Sequence, residues 1–443
     1  MPPRQKKTKR TPREPTVAEV RASSAALFQV DELRKAKIAR TAIPAPSQDS
    51  EDDQGAVAPR YDLCLRAEGS NGILRYTNFT PREFDSLWDA MESFVNQNWN
   101  VGRGKKSMHS GKDVLFMSVC ALKHCGKWDT VAQIFRILPS TFQKMVRGFL
   151  AAVGPYLYEE YVGSLNATMA MSKMALSGKS FKHFPCARYA TDATFQQANR
   201  PAGTHSEAIT YYSGKHHLYG YKVEVSVLPT GLAINCSPHA KGSVSDITIF
   251  RDNDAFHLNA LKKRPDEMHL EDDGPFTVEY TRDWAVLTDK GYQGLRSDFR
   301  AIHPKRQTRL NTLVLEETRN NDRISHDRVF VENYFGRMKM LWGVCSDKWR
   351  WDEGAYDLFF RVCLALTNAH VRLRPLRAEE GDDYQRYDAR LREIGFSIKA
   401  REKERRTNYQ EGRAARLAAR SRVRGDESNE VYMPYGSDAE TQM

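Results

Sequence analysis

The spacing of apolar residues changes character along the chain. Residues 1–60 hold one aromatic, Phe28, among Pro, Ser and charged residues. Such a stretch cannot bury enough apolar surface to offset the entropy of ordering, which predicts disorder. From about 61 to 175 apolar residues recur at helical intervals. The segment Gly111–His124 reads as one helix, broken after it by Gly126. Trp128, Val131, Ala132 and Phe135 predict a short second helix. Leu138-Pro139-Ser140 predicts a turn with Ser140 as the N-cap. A third helix then buries Phe142, Val146, Phe149, Leu150 and Val153, leaving Gln143, Lys144 and Arg147 outside.

Near residue 180 the period shortens to two. Tyr219–Leu228 alternates apolar and polar positions, which predicts a strand. Pro229-Thr230-Gly231 is a turn signal, and Leu232–Ser237 predicts the returning strand. A strand over Cys186–Asp192 precedes this hairpin. Ile247–Phe256 predicts a helix, Trp284–Thr288 a further strand, and Asp327–Arg372 closing helices. Strands in one block with helices after them predict a mixed sheet covered by helices, an α/β or α+β layer architecture. The chain thus divides into a disordered basic region (1–60), a helical domain (61–175), a sheet-bearing domain (185–375) and a tail (376–443) that is partly helical or disordered.

Charge narrows the partners. The formal net charge is +11 and the pI near 9.2, which favours an anionic partner, nucleic acid before membrane. Arg4–Arg10 is a compact basic cluster, readable as a nuclear import signal or as a solvated tail. An acidic patch, Asp49–Asp53, follows. Between Lys399 and Arg424, ten Lys or Arg face three Glu, a basic helix or tail suited to a phosphate backbone. The seven cysteines include no Cys-x-x-Cys pair, so neither a disulfide framework nor a zinc ribbon is expected, and all are read as reduced thiols. Cys120 and Cys125, the closest pair, suit a helical core. The N-terminus has no apolar signal-peptide core, and no stretch approaches the roughly 18 apolar residues of a membrane helix. A soluble protein of the cytosol or nucleus is expected, with no membrane partner.

Long helix, short helix, turn and helix is also the order of a helix-turn-helix, whose last helix enters the major groove. Lys144 and Arg147 would then meet DNA. An ordinary helical bundle has the same layout.

Three acids stand where chemistry can be built. Asp192 closes the apolar run Cys186-Ala-Arg-Tyr-Ala-Thr-Asp192, and Asp289 closes Trp284-Ala-Val-Leu-Thr-Asp289. Glu332 sits on a helix whose stripe Val331, Tyr334, Phe335, Met338, Leu341 and Trp342 docks it on the sheet. Glu332 is about 100° round from Val331, at the edge of that stripe. Carboxylates from two strand ends and a helix suit divalent cations, which want oxygen ligands. Two such ions serve phosphodiester cleavage. Each acid also has a plain structural role open to it: a turn at Asp289-Lys290-Gly291, an N-cap, an ion pair of Glu332 with Arg328 or Lys339. Asp246, opening a helix after the hairpin, is either a supporter of the metal site or an N-cap.

Basic residues around these acids are candidate nucleic-acid contacts. Lys215 and His216 lie in Tyr211-Tyr-Ser-Gly-Lys-His-His217, where Tyr211 or Tyr212 would stack on a splayed base. Arg323, His326 and Arg328 precede Glu332 and suit steering of the scissile strand, and Lys339 follows it.

Taken in order, Asp192-Ala-Thr, Tyr211-Tyr-Ser-Gly-Lys-His with Gly220-Tyr-Lys-Val, Gly242-Ser-Val-Ser-Asp246, Thr288-Asp-Lys-Gly-Tyr292 and Arg328-Val-Phe-Val-Glu-Asn-Tyr-Phe-Gly-Arg-Met-Lys339 resemble the landmarks of the DDE superfamily endonucleases. The resemblance runs over roughly 185–375 and is nearest to PIF/Harbinger-type transposases and their host-derived nuclease relatives. Ala193 stands where glycine is expected, and Ser245 where a histidine often precedes the aspartate. The resemblance implies a ribonuclease H-like fold behind a helix-turn-helix, with Asp192, Asp289 and Glu332 holding two Mg²⁺ or Mn²⁺ ions. It implies cleavage of DNA by water, and joining by a 3′-hydroxyl, in the nucleus. A separate Myb-like DNA-binding protein is an implied partner, and the oligomeric state stays open. The competing reading is a host-adopted nuclear DNA-binding protein without transposition activity.

Overall fold

The computed structural model describes residues 58–124, 128–307 and 313–427, which fall into two compact units divided between Pro155 and Tyr156. The basic cluster at Arg4–Arg10, the acidic patch, Cys125, Gly126 and the last residues of the tail lie outside the described residues.

In the first unit, Pro59–Thr77 (α1) bends at Gly69, whose φ of +68° is open to glycine at little cost. Pro81–Asp89 (α2) is capped by Thr80 and Glu83 in a reciprocal pair of side chain to backbone bonds. A short helix, Glu92–Asn98, leads to Gly111–His124 (α3), which is buried from Asp113 to Leu122. The buried Asp113 carboxylate accepts the backbone N–H groups of Arg60 and Tyr61 at 3.0 Å each, capping α1 from a neighbouring helix. Trp128–Ile134 (α4) and Pro139–Tyr158 (α5) complete the order expected from periodicity. Phe142, Val146, Phe149, Leu150 and Val153 are buried and Lys144 is exposed. Ser140 is not the N-cap. The helix begins at Pro139, because proline's fixed φ suits the first helical position, and the Leu138 carbonyl accepts the Phe142 N–H.

The second unit is mixed α/β, a sheet flanked by helices. Its strands are Ala187–Gln197 (β1), Tyr212–Ser213 (β2), Leu218–Val227 (β3), Ala233–Cys236 (β4), Ala240–Lys241 (β5), Ala285–Leu287 (β6) and Ala301–Ile302 (β7). β1 is central. It pairs antiparallel with β3 and parallel with β6, and β6 pairs parallel with β7. The other edge of β3 is shared by β4, β5 and β2. The hairpin turn is where the sequence predicted it: Gly231 at φ +81° closes the return from β3 to β4. Helices Asp246–Asp252 (α6) and Asp254–Leu261 (α7) replace the single helix expected over Ile247–Phe256. The chain breaks at Asn253, whose side chain turns to Glu224.

One core cluster gathers Tyr189, Val286, Phe250, Trp284 and Leu295 beneath the sheet. The helices Leu315–Leu341 (α8) and Tyr356–Leu373 (α9) follow, and α8 buries Val331, Tyr334, Phe335, Met338 and Leu341. The final helix, Glu380–Glu427 (α10), is a single element of 48 residues. Its first part is no loose tail: Tyr387, Leu391 and Ile394 pack on Phe195 and Leu218. Two glycines permit that docking. A Cβ at Gly336 on α8 would lie 1.8 Å from the Glu380 carbonyl oxygen, and one at Gly395 on α10 would lie 1.9 Å from that of His216. Among the described residues, six cysteines are buried free thiols, and no helix is long and apolar enough to cross a membrane.

Candidate active site

Sheet register brings two of the three acids together. On the parallel strands β1 and β6, Ala190 pairs with Leu287. Asp192 and Asp289 each lie two residues further on, at the same level, and the period-two pleat directs them to the same face. β1 does not end at Asp192 as the apolar run suggested. It continues to Gln197, because Phe195 and Gln196 are themselves buried and paired with β3. Asp289 lies two residues past the end of β6 and starts the turn at Lys290-Gly291-Tyr292.

Helix α8 brings the other groups. Arg328 and Glu332, one turn apart, share a helix face. The Arg328 guanidinium donates to Asp192 Oδ2 at 3.0 Å and to Asp289 Oδ1 at 3.5 Å. Glu332 Oε2 accepts from Gln385 Nε2 of α10 at 3.1 Å. Asp246, at the start of α6, is held by Lys222 Nζ at 2.9 Å. The N-cap of α6 is Ser245, whose hydroxyl accepts the Thr248 N–H. Asp246 is therefore released from capping and lines the same open cavity of about 470 Å³ as Asp192, Asp289, Arg328 and Glu332.

Electrostatics follow from this crowding. Burial pushes the Asp192 carboxyl up to about 7; Arg328 pulls it down, and the Asp289 and Asp246 carboxylates push it up again. Burial alone would lower the Arg328 pKa, but Asp192, Asp289 and Glu332 raise it and keep it charged. One planar cation spans two carboxylates, and burial more than the neighbouring acids holds the Asp192 carboxyl high. Five carboxylates line the cavity, and four of them, Asp192, Asp246, Asp289 and Glu332, form the oxygen-rich donor set that hard divalent ions take. The residues fit such ions.

The far wall of the cavity was missed from the sequence. Tyr384, Gln385, Asp388, Ala389 and Arg392 of α10 line it. Tyr384 packs on Phe335 at 5.0 Å between ring centroids, and Asp388 accepts from His216 Nε2 at 2.7 Å while pairing with Arg392. A signal was present: Tyr384, Tyr387, Leu391 and Ile394 follow the three-and-four spacing of an amphipathic helix.

The candidate nucleic-acid contacts separate into two groups. Lys215 is exposed and lines the cavity, Arg323 is exposed on α8, and on α5 Lys144 is exposed and Arg147 half-buried. His216, Arg328 and Lys339 are buried instead. His216 stacks on Phe195 at 4.4 Å and lies between Ser213 and Asp388. Lys339 donates to the Cys345 carbonyl and lies over the Tyr387 ring; burial lowers its pKa to about 8. Arg328 faces carboxylates. In this conformation none of the three presents its charge to a phosphate, because α10 and the neighbouring acids enclose them. Tyr211 bonds Glu353 under Lys241, and Tyr212 packs on Tyr219. The isolated helical lysine and the adjacent histidines gave no hint of this enclosure, which depends on α10.

Residues 191–368 match the sequence family described as DDE superfamily endonuclease. The matched stretch contains Asp192, Asp246, Asp289 and Glu332 and supports that superfamily for this part of the chain, with metal-dependent nuclease or transposase activity as its family-level character. No curated protein and no solved structure matches the chain.

Proposed function

We propose that this protein is a nuclear, divalent-metal-dependent DNA endonuclease or transposase of the PIF/Harbinger type, with a ribonuclease H-like catalytic domain. The observation that carries the reading is the convergence of Asp192, Asp289 and Glu332 on one cavity beside Arg328. These three acids are the proposed ligands of two Mg²⁺ or Mn²⁺ ions, with Asp246 at the margin. Bound there, the ions supply Lewis acidity for attack on phosphorus and neutralise charge on the departing oxygen.

The chain's own residues have separate tasks. Asp192 and Asp289 hold their carboxylates close together, and a cation bound between them would replace the Arg328 guanidinium as their partner. Lys215, exposed in the lining of the cavity, gives it positive charge for a phosphate backbone. Arg323 extends that charge along α8. On α5, Lys144 and Arg147 are proposed to contact DNA in the manner of a helix-turn-helix. A Myb-like partner for recognition of element ends belongs to the same reading.

The test is nicking of supercoiled plasmid by the full chain with Mg²⁺ or Mn²⁺, beside Asp289→Asn. Nicking by the parent and a loss of about 100-fold or more in the variant supports a catalytic role, a scale expected when charge stabilisation at a reacting centre is removed. Equal nicking by both, or none by either, rejects it and leaves a DNA-binding protein without cleavage.

A further inference from the structure

A second group of metal-ligating side chains lies outside the carboxylate cavity. His183 stands in the segment leading into β1, and His326 and Asp327 stand on α8. One donor atom from each falls within 4.8 Å of the others. The two imidazole rings meet edge to face, 4.9 Å between centroids.

Asp327 is the anchor. Its side chain is 1 % exposed, and Oδ2 accepts the backbone N–H groups of His183 at 2.7 Å and Phe184 at 2.9 Å. The other oxygen, Oδ1, faces His326 Nδ1 at 3.0 Å. Two ligand atoms of one tetrahedral ion, each about 2.0–2.1 Å from the metal, lie about 3.3 Å apart. The His326–Asp327 contact already has nearly that span. His183 is half-buried, and His326, 54 % exposed, is free to turn. Two imidazoles and one carboxylate are the donors that borderline transition metals take, whereas Mg²⁺ and Mn²⁺ favour the all-oxygen cavity.

We propose that His183, His326 and Asp327 form a Zn²⁺-class metal site, with a fourth position left for water. The ion would clamp the lead-in to β1, the strand of Asp192, onto α8 one residue before Arg328. This site stands whether or not the carboxylate cavity cleaves DNA.

The test measures Zn²⁺ bound per chain after dialysis, the visible absorption of Co²⁺ substituted for it, and the rise in melting temperature on adding Zn²⁺. The full-length protein is compared with His183→Ala, His326→Ala and the double variant Asp192→Asn/Asp289→Asn. Asp327 is left intact, because its carboxylate carries two backbone amides and its loss would disturb folding. The expected result is one tight equivalent retained in the aspartate double variant, with affinity falling roughly 10- to 100-fold or more in each histidine variant. In EDTA the histidine variants should melt like the parent, and only their response to Zn²⁺ should vanish. Unchanged Zn²⁺ affinity in both histidine variants overturns the site. So does a parent protein whose bound Zn²⁺ is lost entirely in Asp192→Asn/Asp289→Asn, or which binds none. In the last case the 3.0 Å contact is a hydrogen-bonded imidazole–carboxylate pair without metal.

Discussion

Arg328 Nη2 lies 3.0 Å from Asp192 Oδ2, and the same guanidinium reaches Asp289. A side chain thus supplies, between two strand-borne carboxylates, the positive charge that a divalent ion would also supply. Arg328→Ala should therefore leave two carboxylates repelling across a gap that is mostly buried at Asp192 and open to solvent at Asp289. Without metal the variant is expected to lose on the order of 1–2 kcal/mol of stability, below the scale for a fully buried pair because solvent screens the half-exposed Asp289. Saturating Mg²⁺ should raise its melting temperature more than it raises the parent's. Equal metal-induced shifts in thermal melts of the two proteins would show that the arginine and the metal do not share those oxygens.

The raised Asp192 carboxyl has a defined sign in stability. Its folded value is about 7, against about 3.9 for an unperturbed aspartate. The fold thus favours the protonated group. The resulting stabilisation is fully present below the unfolded value and is lost as pH rises through about 7. In metal-free buffer, Asp192→Asn should flatten this part of the stability profile between about pH 4 and pH 7. Denaturant titrations of both proteins across that interval check it, and parallel curves would refute the assignment.

His216 and Asp388 tie α10 to the sheet at 2.7 Å. Asp388→Ala leaves a buried imidazole without its acceptor, at a cost of roughly 1–3 kcal/mol. Burial would raise the Asp388 carboxyl, but the bond from His216 together with Lys215 and Arg392 holds it at about 2. The stabilisation is present above the unfolded carboxylate value and lost as pH falls toward 2. Amide exchange over residues 384–394 should quicken in Asp388→Ala at neutral pH. Unaltered exchange there would mean that apolar packing alone docks the helix.

Beyond Lys399 the same helix is basic, and its side chains through residue 418 are exposed except for the half-buried Gly412. A chain ending at residue 400 should keep the parent's melting temperature. It should also bind mixed-sequence DNA more weakly, with a shallower dependence of affinity on salt because fewer phosphates are neutralised. Fluorescence anisotropy at several salt concentrations measures both. An unchanged slope would place DNA binding elsewhere in the chain.

Periodicity determined where most of the buried helices and strands lie, because an element must show an apolar face to whatever covers it. It missed the break at Asn253, the run of β1 to Gln197 and the extent of α10. It marked the hairpin around Gly231, the strands ahead of Asp192 and Asp289, and the stripe that leaves Glu332 at its edge. Tertiary structure decided which groups meet. Parallel pairing of Ala190 with Leu287 sets Asp192 and Asp289 at one level, and no local pattern encodes the pairing of strands about a hundred residues apart. It turned Arg328 from a surface base into the cation between two acids. It also enclosed His216 and Lys339 under α10, a helix whose polar composition hid a short apolar stripe and whose docking depends on glycines at 336 and 395. Spacing along a chain records what one element buries. It does not record the close approach of backbones or the charges that converge from distant elements, and the chemistry of this cavity depends on both.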